Sequence, residues 1–131
     1  MKMQVEFNGK AGFKANIRDH ELIIDLPEEM GGGNQGPTPP EAFVAAIASC
    51  SSFFAARYLK TANLDADGLS VDVDWDYDSE KKRVEHIYLS FETPNAKLGG
   101  RKKAFIAAAE SCILHNTLHK LPEIKIEVGE E

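Results

Sequence analysis

The sequence predicts an α+β protein with its elements in the order βββ-α-ββ-α-β, two long helices being packed on a mostly antiparallel sheet. Three observations carry this. Alternating apolar and polar residues, the period of a half-buried strand, run through the first 26 positions and recur at 71–78 and 84–92. A long apolar run of helical period starts at the proline pair Pro39-Pro40. A second helical run, from about Arg101 to Leu118, is stopped by Pro122 and followed by EIKIEV, a last strand. With 131 residues the chain is expected to form one domain, 1–131, large enough to bury a continuous core.

MQVEFNG, GFKANIR and HELIIDL are the first three strands. Asn8-Gly9 suits a tight turn between the first two, and Arg18-Asp19 the next reversal. PEEMGGGNQGPTPP then forms a loop of about 14 residues, long enough to suggest a functional role or ordering by a partner. Thr38, two prolines and Glu41 combine a cap hydroxyl, N-terminal prolines and a capping-box acid. The helix they open is expected to run to about Lys60. Phe43, Ala46, Ile47, Cys50, Phe53, Phe54 and Arg57 follow its period, but the opposite side is also small or apolar, so burial almost all round is expected. One sheet covers only one side of such a helix, and a second copy of the chain covers the other most simply. VDVDWDYD places Val71, Val73, Trp75 and Tyr77 on one strand face and four aspartates on the other. DSEKKR turns it toward VEHIYLSFE.

Charged residues make up 27% of the chain and the net charge is -6, which opposes a nucleic-acid partner because phosphates are met by clustered Lys and Arg. The basic GGRKKAF at 99–105 is a solvated turn. The most apolar window, Ala42 to Ala56, is short of the roughly 20 residues a bilayer span needs, so a core helix and no membrane are expected. Two cysteines make no disulfide framework, and no leader pattern precedes the first strand. A cytoplasmic location follows, where a working thiol is more natural than a stable disulfide.

The reactive groups within apolar helical sequence are Cys50, Arg57, Glu110, Cys112, His115 and His119. Each cysteine is expected in mid-helix, and two crossing helices would let them meet. Cys50 is either a small buried hydrophobe or a nucleophile, and the second role needs a cation or directed N–H groups to offset burial. Arg18 and Arg57 are the candidate cations. Cys112, His115 and His119 share one face of the second helix and include zinc-ligand types. Ligands strung over two turns do not converge without another segment, so histidines satisfied near a helix C-terminus are the simpler reading, with no metal. GGGNQGPTP lacks the Lys-Ser/Thr pair of a phosphate loop, and no cofactor is expected.

GPTPPEAFVAAIASCSSFFAARYLK resembles the first-cysteine helix of the OsmC/Ohr family, in its broad, poorly characterised branch, and ESCILHNTL resembles the second-cysteine helix. The likeness covers nearly the whole chain. It implies an intertwined homodimer whose central helices are wrapped by sheets, with active sites at the subunit interface. It further implies a thiol-dependent peroxidase reducing organic hydroperoxides, with Cys50 peroxidatic and Cys112 resolving through a Cys50–Cys112 disulfide. An external dithiol, protein-bound lipoyl or a small molecule, restores the thiols. By the same likeness Arg18 is the activating cation and Glu41 its support. Glu41 lies nine residues before Cys50, whereas the peroxidases place the glutamate ten before, a position held here by Pro40; Ile113 follows Cys112 where many relatives have proline. The alternative is a non-peroxidatic protein of this fold that binds a small thiol, acyl or other apolar ligand at the dimer interface. A third reading, a structural or protein-binding stress protein, has no motif behind it.

Overall fold

The computed structural model describes residues 1–129. The chain divides into two compact units, residues 1–46 with 75–87, and residues 47–74 with 88 onward.

The first unit is built on an antiparallel meander of β1 (Gln4–Gly9), β2 (Gly12–Ile17) and β3 (His20–Ile24). Phe7 faces Phe13 and Val5 faces Ala15 across β1 and β2, the two phenyl rings lying 5.5 Å apart. Arg18-Asp19 makes the β2–β3 turn as the sequence suggests, and Arg18 adopts a left-handed φ of 53° there. The first reversal falls slightly later than Asn8-Gly9. Lys10 and Ala11 form the turn, while Gly9, at φ 101°, pairs with Gly12 beyond an irregularity after Phe7. Glycine takes that conformation without a Cβ clash, so it closes the strand instead of leading the turn.

The glycine-rich loop is ordered from within the chain. Asp25, 3% exposed, accepts backbone N–H groups from Leu26 at 2.7 Å, Gln35 at 3.1 Å and Gly33 at 3.2 Å. Those donors outweigh burial and hold the Asp25 carboxyl below its ordinary range. Gly32 passes so close to the Leu26 carbonyl that a Cβ there would collide with it. A 3₁₀ turn at Glu28–Met30 occupies the start of the loop.

Helix α1 (Pro39–Thr61) begins at the expected place. Glu41 accepts the Thr38 N–H at 2.8 Å and the Thr38 hydroxyl accepts the Glu41 N–H at 3.3 Å, a reciprocal capping box. The expectation of burial almost all round needs correction for the single chain. Val44, Ile47, Ala48, Ser51, Ala55 and Leu59 form one buried stripe at helical spacing, whereas Phe43 and Phe53 are exposed. Nothing within 129 described residues covers the second face.

Strands β4 (Ser70–Asp78) and β5 (Arg83–Glu92) form a two-stranded sheet. Asp78 closes their turn by accepting the Glu80 and Lys81 N–H groups. The alternation read in VDVDWDYD appears in burial from Ser70 to Asp76, and Tyr77 departs from it by being exposed.

The second unit has its own core of Ala55, Leu59, Ala96, Phe105 and Ala109, edged by Tyr58, Leu69 and Phe91. Leu59 is 0% exposed, and Phe91 stands edge-on to Phe105. The single second helix expected from about Arg101 to Leu118 is two helices, α2 (Lys102–Glu110) and α3 (Ile113–His119). Ser111 ends α2 by donating its hydroxyl to the Ala108 carbonyl at 2.6 Å, and Cys112 is extended (φ -71°, ψ 156°). A serine side chain that competes for a helical carbonyl is a local reason for the break. EIKIEV is not a strand among the described residues. A strand needs a neighbour to pair its N–H and C=O groups, and Ile124, Ile126 and Val128 stand exposed with none.

Candidate active site

Cys50 and Cys112 meet within the second unit, as two crossing helices allow. Both thiols are free, Cys50 half-buried on α1 and Cys112 fully buried. The Cys50 thiol is a close enough neighbour to help draw the Cys112 thiol down. Cys112 is not in mid-helix, contrary to expectation, but caps α3, and its sulfur accepts the His115 backbone N–H at 3.2 Å. This is the cap geometry usually supplied by Ser or Asp, with sulfur in the acceptor's place.

A second donor reaches the same atom from α1. The Ser51 hydroxyl lies 3.7 Å from Cys112 Sγ, and Ser51 is itself 2% exposed. Burial pushes the Cys112 thiol up, but the His115 N–H, the Ser51 hydroxyl, the Cys50 thiol and the Leu114 N–H together draw it below its ordinary value. These directed donors serve Cys112, whereas the cation sought in the sequence was for Cys50. Ser51 was not legible as part of the site. Its one sequence signal was position: it directly follows Cys50 in a helix rich in small residues.

Arg18 is exposed in the β2–β3 turn of the first unit. Glu41 is committed to the capping box, and the Thr38 N–H and hydroxyl hold its carboxyl below the usual range. Arg57 is exposed on α1. His115 and His119 lie with ring centroids 5.0 Å apart, their planes tilted by 47°, and, with Leu118, line a small hollow of about 160 Å³. The break at Cys112 puts the cysteine outside the helix that carries His115 and His119, and His115 meets the sulfur through its backbone. Among the described residues no three potential ligands gather around a metal position.

Two thiols brought together, one of them anchored by N–H and O–H donors, can do reversible two-electron redox chemistry. The family profile of OsmC-like proteins matches residues 31–127, a stretch that includes the four glycines of the loop, α1 and both cysteines. The protein belongs to the OsmC-like family. Its fold is similar to that of a Psychrobacter arcticus 273-4 protein of the osmotic-stress-induced and detoxification-response kind, with a TM-score of 0.82, 18% identity, and coverage of 92% of this chain and 89% of that one. An OsmC-like protein from Mycoplasma pneumoniae gives 0.74 at 20% identity, covering 92% and 87%. The organic hydroperoxide resistance protein OhrB of Bacillus subtilis gives 0.61 at 17% identity, covering 92% and 90%. A comparison with curated proteins found no match. Proteins of this family are generally soluble. Helix α1, at 23 residues, is nevertheless long and apolar enough by length and composition to cross a membrane, which the shorter window read from the sequence had not suggested.

Proposed function

We propose that the protein is a thiol-dependent peroxidase that reduces organic hydroperoxides, with Cys50 peroxidatic and Cys112 resolving. The observation that carries this is that two free cysteines are brought together, Cys112 Sγ lying 3.7 Å from the hydroxyl of Ser51, the residue next to Cys50 on α1. The Cys50 thiolate attacks the terminal peroxide oxygen; the S–O bond forms, the O–O bond breaks, and the alkoxide leaves as an alcohol after taking a proton. Cys112 then attacks the Cys50 sulfur, expels hydroxide as water, and leaves a disulfide, a reversible rung of the thiol oxidation ladder. An external dithiol, lipoyl-bearing or small, returns both thiols. Arg18 is the cation assigned to the peroxide step and Glu41 its support, an assignment that rests on the family likeness. Apolar side chains such as Phe53 favour an alkyl hydroperoxide over bare peroxide.

In this reading the active protein is a cytoplasmic homodimer. The uncovered face of α1 and the unpaired apolar alternation at 124–128 both support a second copy as their cover. Stopped-flow mixing of the reduced protein with cumene hydroperoxide is the test. Rapid loss of both thiols, abolished in Cys50→Ser, is expected; thiols that survive excess hydroperoxide for minutes overturn the proposal.

A further inference from the structure

We propose that Ser51 is a positioning residue for disulfide formation: its hydroxyl, with the His115 N–H, orients the Cys112 sulfur toward Cys50 and holds it as the attacking thiolate. This rests on the thiol-peroxidase reading above, which assigns no role to Ser51. Three facts argue for it. Ser51 is 2% exposed, so its hydroxyl is out of reach of bulk water, and Cys112 Sγ lies 3.7 Å away. A buried hydroxyl without a partner is costly, so the contact serves both groups. The two donors arrive from different elements, Ser51 from α1 and His115 from α3, and so fix the sulfur between two helices instead of merely ending one. Cys50, also on α1, and the Leu114 backbone N–H of α3 favour the ionised sulfur in the same direction.

In the step itself, the Cys112 thiolate donates an electron pair to the sulfur of Cys50 sulfenic acid. The S–S bond forms, the S–O bond breaks, and hydroxide departs and takes a proton from solvent to become water. Cys50 sulfenic sulfur is reduced as the Cys112 thiolate is oxidised. Ser51 neither gains nor loses a covalent bond; it keeps a lone pair of Cys112 on line and the sulfur ionised.

The test titrates Cys112 alone, by thiolate absorbance near 240 nm, in full-length Cys50→Ser with and without Ser51→Ala. Alanine is nearly isosteric and favours a helix, and far-ultraviolet circular dichroism verifies the fold. The midpoint is expected to rise by roughly one pH unit, the scale of one charge-assisted hydrogen bond. Ser51→Thr, which keeps a hydroxyl, titrates with its parent. A midpoint unmoved by Ser51→Ala overturns the proposal. In the chain with both cysteines, Ser51→Ala also prolongs the sulfenic acid, trapped by dimedone, about tenfold; an unchanged lifetime likewise counts against it. The titration uses no peroxide. Protein inert to hydroperoxide would therefore sink the peroxidase reading while the midpoint shift still decided the placement of Ser51.

Discussion

The backbone N–H of His115 points at Cys112 Sγ over 3.2 Å, in the one turn where the second helical segment breaks. Because burial works against ionisation and the donors outweigh it, the folded thiol lies below its unfolded value. Stability contributed by this ionisation is full above the unfolded thiol value and is lost as pH falls through the lowered folded one. The difference in urea midpoint between reduced parent and Cys112→Ser is therefore expected to widen as pH rises toward about 8.5 and then level off. A difference flat with pH would contradict it.

The two cysteines are expected to fail differently under oxidant. With Cys112→Ser, Cys50 is oxidised once by cumene hydroperoxide but cannot close a disulfide, so excess peroxide drives it to sulfinic acid, visible as a gain of two oxygens by mass spectrometry. With Cys50→Ser, Cys112 keeps its mass on the same timescale, since it is fully buried.

Asp25 ties the glycine loop to the end of β3 through three backbone donors. Asp25→Asn removes the negative charge those donors stabilise, and the loop at 27–37 is expected to exchange its amides faster and to be cut sooner by protease. The parent loses this support in acid, as pH falls through a carboxyl value below the usual range. Equal exchange in parent and variant would deny Asp25 this role.

Thr38→Ala deletes one half of the capping box and is expected to cost about 1 kcal/mol, read from chemical denaturation. Glu41→Gln keeps hydrogen-bonding capacity and costs less. If Glu41 also supports the activating cation, Glu41→Gln slows peroxide consumption while Thr38→Ala does not.

Leu59 is wholly buried in the core of the second unit. Leu59→Ala is expected to destabilise by about 3 kcal/mol, the cost of lost transfer energy plus a cavity beside Phe105 and Ala109. A thermal midpoint unchanged by this substitution would contradict this role of Leu59, since even full collapse around the alanine leaves the transfer loss.

Much of this protein could be read along the chain. The capping box of Thr38 and Glu41, the Arg18-Asp19 turn and the alternation through Trp75 are local, and local chemistry specified them: a hydroxyl three residues before a carboxylate, a polar pair between apolar runs, a period of two. The cysteines stood out because reactive side chains within apolar helices are few. Less was legible where a residue acts at long range. Asp25 looked like the polar end of a strand, and only the folded loop shows that it gathers amides as far away as Gln35. Ser51 looked like a small helix residue. The helical pattern ran unbroken from 101 to 118, and Ser111 ended it through one side-chain bond to a carbonyl.

By itself, then, the sequence determined the order of elements as far as β5, the start of α1 and the two thiols, since each follows from spacing and side-chain type within a few residues. Tertiary structure decided that Cys50 and Cys112 are brought together, that Cys112 is a cap and not a mid-helix residue, and that Ser51 joins them. Those outcomes depend on which atoms converge across 61 positions of chain, with burial raising the worth of every donor that arrives. The segment at 123–128 shows the same limit from the other side. Its alternation is that of a strand, but a strand exists only where another backbone meets it.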